Sequence, residues 1–211
     1  MNGACYVPSM VAAANISAGE HVPTADQRVI LAGATWEHYE LELAMRGEKS
    51  VPRLAYLEGA LELTSPSRDH ERITSYLGRL IEAYAEHADI ELSPYRSWTL
   101  KNGQTAGGEP DECYIIGADQ AKDRPDLVIE VIWTSGGIDK LALYQRLGID
   151  EVWFWIAGRL EVHALGGDTY ERVARSHWLP GLDLDLMCTF LDRRSVHIVK
   201  LNFREALRNP K

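Results

Sequence analysis

Hydrophobic positions along the chain first mark a helix. Ile73, Leu77, Leu80, Ile81 and Tyr84 recur at helical spacing after the polar entry Ser65-Pro-Ser-Arg-Asp, so one face of this helix is apolar. Upstream, Thr35 is placed to cap a shorter amphipathic helix that runs to Met45. Between the two, Arg53 to Thr64 reads as a hairpin with Glu58-Gly59 near its turn. Further on, strands are expected around Ile90 to Leu100, Glu112 to Ile116, and Leu127 to Trp133. A second helix is expected from about Gly137 to Leu147, stopped by Gly148. Glu151 to Ile156 and Leu160 to Leu165 are strands joined at Ala157-Gly158, and Tyr170 to Ser176 is another. Pro180-Gly181 breaks the chain, and a C-terminal helix or strand pair finishes it. Helix, strands, helix, strands is the order of a mixed α/β fold. Residues 1–25 are rich in Ala, Gly, Ser and Pro without a period and read as a flexible arm; 26–192 read as a single domain and 193–211 as a C-terminal extension.

One residue breaks the pattern. The run Leu127 to Trp133 is apolar and β-branched, as in a strand buried on both faces, yet it carries Glu130 at its centre. An ionised acid is almost never fully buried alone, because desolvating it unpaired costs several kcal/mol. Something must compensate Glu130. Asp111, carried by the preceding strand, and Lys140, at the start of the following helix, point to a bound divalent cation and an ammonium able to act on water. Each has a plainer explanation. Glu130 could be a structural ion pair, Asp111 a turn residue after Pro110, and Lys140 an exposed lysine beside Asp139. Asp126, four residues before Glu130 on the same strand face, is a third acid or, as the reading preferred here, a strand-entry residue. His70 falls in register with Ile73 and Leu77 and faces inward, as a satisfied core histidine would. Trp133, Trp153, Phe154 and Trp155 read as core packing rather than as a platform for stacked bases.

Composition narrows the class. A chain of 211 residues fits one domain. Its formal net charge of −9 argues against broad adhesion to nucleic acid or anionic membrane. Cys5, Cys113 and Cys188 are far apart and show no metal spacing, which fits a reducing cytoplasm; Cys113 reads as a small buried hydrophobe. No apolar run is long enough for a membrane helix, and no signal peptide is expected. No DNA-reading module such as a helix-turn-helix or zinc finger is visible.

The segments Leu57-Glu-Gly-Ala-Leu-Glu-Leu-Thr-Ser-Pro66, Glu109-Pro-Asp-Glu-Cys-Tyr114, Pro125-Asp-Leu-Val-Ile-Glu-Val131, Asp139-Lys140 and Leu147-Gly-Ile-Asp-Glu-Val-Trp153, in that order, resemble the Uma-two family of endonucleases. That family lies within the PD-(D/E)xK restriction-endonuclease-like superfamily. The resemblance spans about residues 35 to 190 and implies a restriction-endonuclease-like mixed sheet flanked by helices, with an N-terminal helix and hairpin. It implies catalytic roles for Asp111, Glu130 and Lys140, with His70 at the edge of the site and an acid at Glu58. The position two after Glu130 is Ile132 rather than lysine, so the lysine is displaced to Lys140 on the next helix. The resemblance further implies Mg²⁺ or Mn²⁺ held by Asp111, Glu130 and the backbone carbonyl of Val131, with DNA as substrate and a homodimer as a compatible assembly. The competing reading, to which the displaced lysine and the acidity lend weight, is a catalytically retired fold that binds or scaffolds and cuts nothing.

Overall fold

The N-terminal hairpin and the buried strands fall into two different sheets. The computed structural model describes residues 24–96, 98–134, 136–191 and 195–209; the arm expected over 1–25 lies outside the described residues except for Thr24 and Ala25. The chain runs β1 (Gln27–Ala32), α1 (Trp36–Arg46), β2 (Arg53–Leu57), β3 (Ala60–Ser65), α2 (Arg68–Ala88), β4 (Leu92–Pro94), β5 (Leu100–Asn102) and β6 (Ala106–Gly108). It continues through β7 (Glu112–Ile116), β8 (Leu127–Ile132), α3 (Lys140–Leu147), β9 (Glu151–Ile156), β10 (Arg159–Gly166), β11 (Thr169–Val173), α4 (Leu184–Thr189) and α5 (Val196–Arg208). One sheet has the order β1-β3-β2-β6-β5, the other β11-β10-β9-β8-β7-β4. In the second sheet β8 and β9 are parallel neighbours, with α3 as the crossover between them, and the other pairings are antiparallel.

Side-chain alternation in β8 explains the layering. Leu127, Ile129 and Val131 enter the core beneath α2 and α5, where Leu77, Leu80, Ile81, Trp153, Val199 and Phe203 are buried. Val128 and Ile132 face the other way, toward Leu143, Tyr144 and Leu147 of α3. Both faces of this sheet are therefore covered, which is why β7, β8 and β9 read as nearly continuous apolar runs. The helix read from Ile73 to Tyr84 is α2, capped by Ser67, and each large apolar side chain on its inner face contributes roughly 1.5–3 kcal/mol by burial. Trp153 is fully buried, and Trp133 stacks on Trp155 with ring centroids 5.7 Å apart, so these aromatics belong to the core as expected.

The strand expected over 90–100 is two strands in different sheets. Residues 92–94 pair with β7, and residues 100–102 pair with β6, so the chain crosses between the sheets where one continuous strand was expected. The helix expected from Gly137 starts at Lys140 instead, because the Asp139 side chain caps it by accepting from Ala142 N at 3.0 Å. At the C-terminus the helix alternative is the observed one, in α5.

No alternating pattern announces β6, whose sequence is Ala-Gly-Gly. Tight packing on both of its faces accounts for the glycines. A Cβ on Gly107 would come within 2.6 Å of the Tyr39 ring from α1, and one on Gly108 within 2.9 Å of Leu143 from α3. Gly107→Ala should therefore cost about 1–3 kcal/mol, read as a lowered urea midpoint. An unchanged midpoint would mean that Tyr39 has room to move.

Candidate active site

The alternation that builds the core also brings the acids together. Cys113 lies opposite Val128 on the α3 face, and Glu112 lies opposite Ile129 on the other. Carrying the register one step back sets Asp111 across from Glu130 on the α3 face. β7 has ended there, and Asp111 replaces its missing ladder bond: Oδ2 accepts the Val131 amide at 2.7 Å. Asp111 and Glu130 line one cavity of about 380 Å³, together with His70, Lys140 and Val131. The first sheet forms another wall of the cavity, since Arg28 of β1, Glu62 and Thr64 of β3, and Arg53 of β2 also line it.

Glu130 is 4% exposed and is compensated in two ways. Lys140 Nζ lies 3.2 Å from Oε1, and the Tyr144 hydroxyl donates to the same oxygen. Lys140 and Tyr144 are four residues apart on α3, so one helix face delivers both. Burial, reinforced by the neighbouring Glu130 charge, holds the Tyr144 hydroxyl well above its usual range, and the phenol stays a donor. Lys140 is the first residue of α3, where the helix dipole disfavours a cation by a few tenths of a kcal/mol; the Glu130 carboxylate offsets that. Among the described residues, no hydrogen bond reaches Glu130 Oε2.

Asp111 is more crowded. Its Oδ1 accepts from Arg53, whose other terminal nitrogen lies 2.8 Å from Glu71. His70 Nε2 lies 3.0 Å from Asp111 Oδ2 but off the hydrogen-bond line, and so ranks among the buried polar atoms without a hydrogen bond. The other ring nitrogen, Nδ1, meets Asp26 Oδ2 at 2.9 Å. Burial pushes the Asp26 carboxyl up, but hydrogen bonds from His70 and the Ser67 amide outweigh it and hold the group below its usual range. His70 thus sits at the site, held from behind, rather than in the apolar core.

Two sequence candidates lie elsewhere. Glu58 occupies the β2–β3 turn with φ 45° and pairs with Arg146 at the surface. Asp126 locks the entry to β8: its carboxylate accepts the Ile116 amide at 2.7 Å and pairs with Lys122. The acid that the hairpin does send into the cavity is Glu62, which accepts the Ile138 amide at 2.9 Å and so holds the loop before α3. Glu62 alternates with the apolar Leu61 and Leu63, a pattern that reads as a solvent-facing strand position, so the sequence did not mark it. Asp26, Arg28, Arg53 and Tyr144 were likewise missed. Of these, Tyr144 alone had a local signal, its spacing of four from Lys140.

Hard-oxygen chemistry at this site suits a small divalent cation. Asp111 and Glu130 line the cavity beside Val131, and Glu130 Oε2 is uncommitted, while the Val131 carbonyl accepts the Trp133 amide at 3.0 Å. No group of three or more His, Cys, Asp or Glu able to hold a metal occurs among the described residues. The donors on offer would be the two acids, since the Val131 carbonyl would have to share its lone pairs with the Trp133 amide, and Arg53 would have to share Asp111 with the cation.

One mixed sheet and the helix after β8 thus bring Asp111, the buried Glu130 and Lys140 into one cavity. Residues 36–187 match the Uma2 family, described as "Putative restriction endonuclease", and the chain belongs to that family. The chain is also similar to a solved structure described as "a putative nuclease belonging to DUF820" from Anabaena variabilis ATCC 29413. The two share 15% identity at a TM-score of 0.49, covering 81% of this chain and 99% of that one. No curated protein matches the chain. None of the helices among the described residues is long and apolar enough to cross a membrane.

Proposed function

We propose that this protein is a metal-dependent endonuclease that hydrolyses DNA phosphodiester bonds, with Mg²⁺ or Mn²⁺ held by Asp111, Glu130 and the Val131 carbonyl. The observation that carries the reading is the Glu130–Lys140 contact of 3.2 Å in the same cavity as Asp111, within a chain of a nuclease family. A cation bound there would polarise the scissile phosphate and lower the pKa of a bound water. Lys140 Nζ donates one hydrogen bond to Glu130 and has further donors to orient the attacking water and stabilise the charge that develops on the phosphate. Tyr144 and Lys140 together fix Glu130 Oε1, which leaves Oε2 as the ligand oxygen. Local contacts and the cation, rather than bulk charge, bring in the polyanion, because a chain of net charge −9 repels DNA at long range. A cytoplasmic enzyme, as a homodimer or a monomer, fits this reading.

Arg53 on Asp111 Oδ1 favours a second reading, a retired fold in which protein cations have taken the place of the metal. Incubating plasmid and short single-stranded DNA with the protein in Mg²⁺, Mn²⁺ or EDTA, with Asp111→Ala as control, separates the two. Nicking that needs metal and vanishes in the variant supports the enzyme. Absence of cleavage in every metal, together with no calorimetric metal binding, favours the retired fold.

A further inference from the structure

We propose that Arg28 is a DNA-phosphate contact of this cavity, supplied by β1. The identity of the polyanion rests on the nuclease reading; the contact itself is argued from the state of the three permanent cations that line the cavity, Arg28, Arg53 and Lys140. Arg53 is committed at both terminal nitrogens, to Asp111 and to Glu71. Lys140 is aimed at Glu130. Arg28 is different. Its Nε is buried without a hydrogen bond, and the nearest carboxylate oxygen, Glu62 Oε2, is 3.6 Å away. That oxygen already accepts the Ile138 amide at 2.9 Å, and Glu62 Oε1 accepts from Thr64 at 3.1 Å. Arg28 makes one long hydrogen bond, from a terminal nitrogen to the Thr134 carbonyl at 3.3 Å. A guanidinium has five donors in a planar fork that matches a phosphate, so most of this fork is uncommitted among the described residues.

The position of Arg28 is nonetheless firmly set. A Cβ on Gly137 would fall 2.7 Å from Glu62 Oε2 and 3.2 Å from a terminal nitrogen of Arg28, so the loop before α3 lies flat against the pair. Register fixes the direction: Arg28 lies opposite Thr64, on the face of β3 that also carries Glu62. Two residues earlier, Asp26 reaches His70. The side chain of Arg28 is 20% exposed, which leaves it within reach of a ligand. The result is an oriented, loosely neutralised cation beside the candidate metal site. Residue 28 precedes the stretch 36–187 matched to the family.

The test is fluorescence anisotropy of a short labelled duplex in Mg²⁺ across a range of KCl, in a Lys140→Ala background so that cutting is slow against the measurement. Arg28→Gln should weaken binding about tenfold to a hundredfold, the worth of one hydrogen-bonded charge contact. The slope of log K against log[KCl] should become shallower by about 0.9, the signature of one lost phosphate contact. Arg28→Lys should restore the slope but not the full affinity. Adding Glu62→Gln to Arg28→Gln removes the buried carboxylate left behind and should give the same shallower slope, which excludes a folding defect. An unchanged slope, even with weaker binding, would reduce Arg28 to a support for the loop and overturn the proposal. So would a parent protein that binds no DNA. Arg28-dependent binding without nicking by the wild type would sink the nuclease reading and leave the contact standing; nicking with an unchanged slope would do the reverse.

Discussion

Lys140→Ala is expected to lower cleavage by roughly 10²–10³-fold, the usual effect of losing one group that stabilises transition-state charge, while leaving Mn²⁺ binding nearly intact. Lys140 lies against Glu130 Oε1, not against Oε2 or the Val131 carbonyl, so its removal does not take away a ligand oxygen. The complication is stability. Glu130 is 4% exposed, and without Lys140 its main compensation is the Tyr144 hydroxyl. Removing one member of a buried pair can cost about 3–5 kcal/mol. Urea unfolding of Lys140→Ala separates the two effects, because a variant that is folded at the assay temperature yet inactive excludes unfolding as the cause. Plasmid nicking and calorimetric Mn²⁺ titration are the measurements. Cleavage by Lys140→Ala equal to wild type would take the lysine out of the mechanism.

Glu109→Ala is expected to destabilise the fold by about 3–5 kcal/mol. Glu109 precedes the Pro-Asp pair but does not share the role of Asp111. Its carboxylate accepts from Arg46 of α1, from the Leu54 amide of β2 at 3.0 Å, and from Thr99 at 2.7 Å. The Glu109 hydrogen bond is the main reason the Arg46 guanidinium is held above its usual range. Alanine would leave Arg46, whose side chain is 11% exposed, without its carboxylate, together with two unsatisfied donors. Glu109→Gln keeps one acceptor oxygen and should cost less. Urea unfolding of both variants checks this, and a loss below about 1 kcal/mol for alanine would mean that water reaches Arg46 and replaces the carboxylate.

What the sequence made legible was whatever depends on near neighbours. The period of α2 and the anomaly of Glu130 in an apolar strand are local patterns, and both stand in the structure as read. Lys140 could be paired with Glu130 because only ten residues and one turn separate them. Glu62 and Arg28 reach the same cavity from a sheet whose packing is set by contacts across the whole chain, and no local period announces that. The short strand β6 was hidden for a related reason: its residues are small because Tyr39 and Leu143 press on them, not because they alternate. The switch of residues 92–102 from one sheet to the other left no mark in hydrophobicity at all.

The stretch matched to the family and the span that holds this molecule together do not coincide. Residues 36–187 omit β1 at one end and α5 at the other. A protein trimmed to that span would present the backbone of β3 as a new bare edge, a row of donors and acceptors open to any passing strand. His70 would lose the carboxylate behind its ring. At the far end, α2 would shed Val199 and Phe203, both fully buried, and open an apolar trench along its length. The matched stretch is thus shorter than the packed molecule, and β1, which precedes it, supplies Arg28 to the cavity wall.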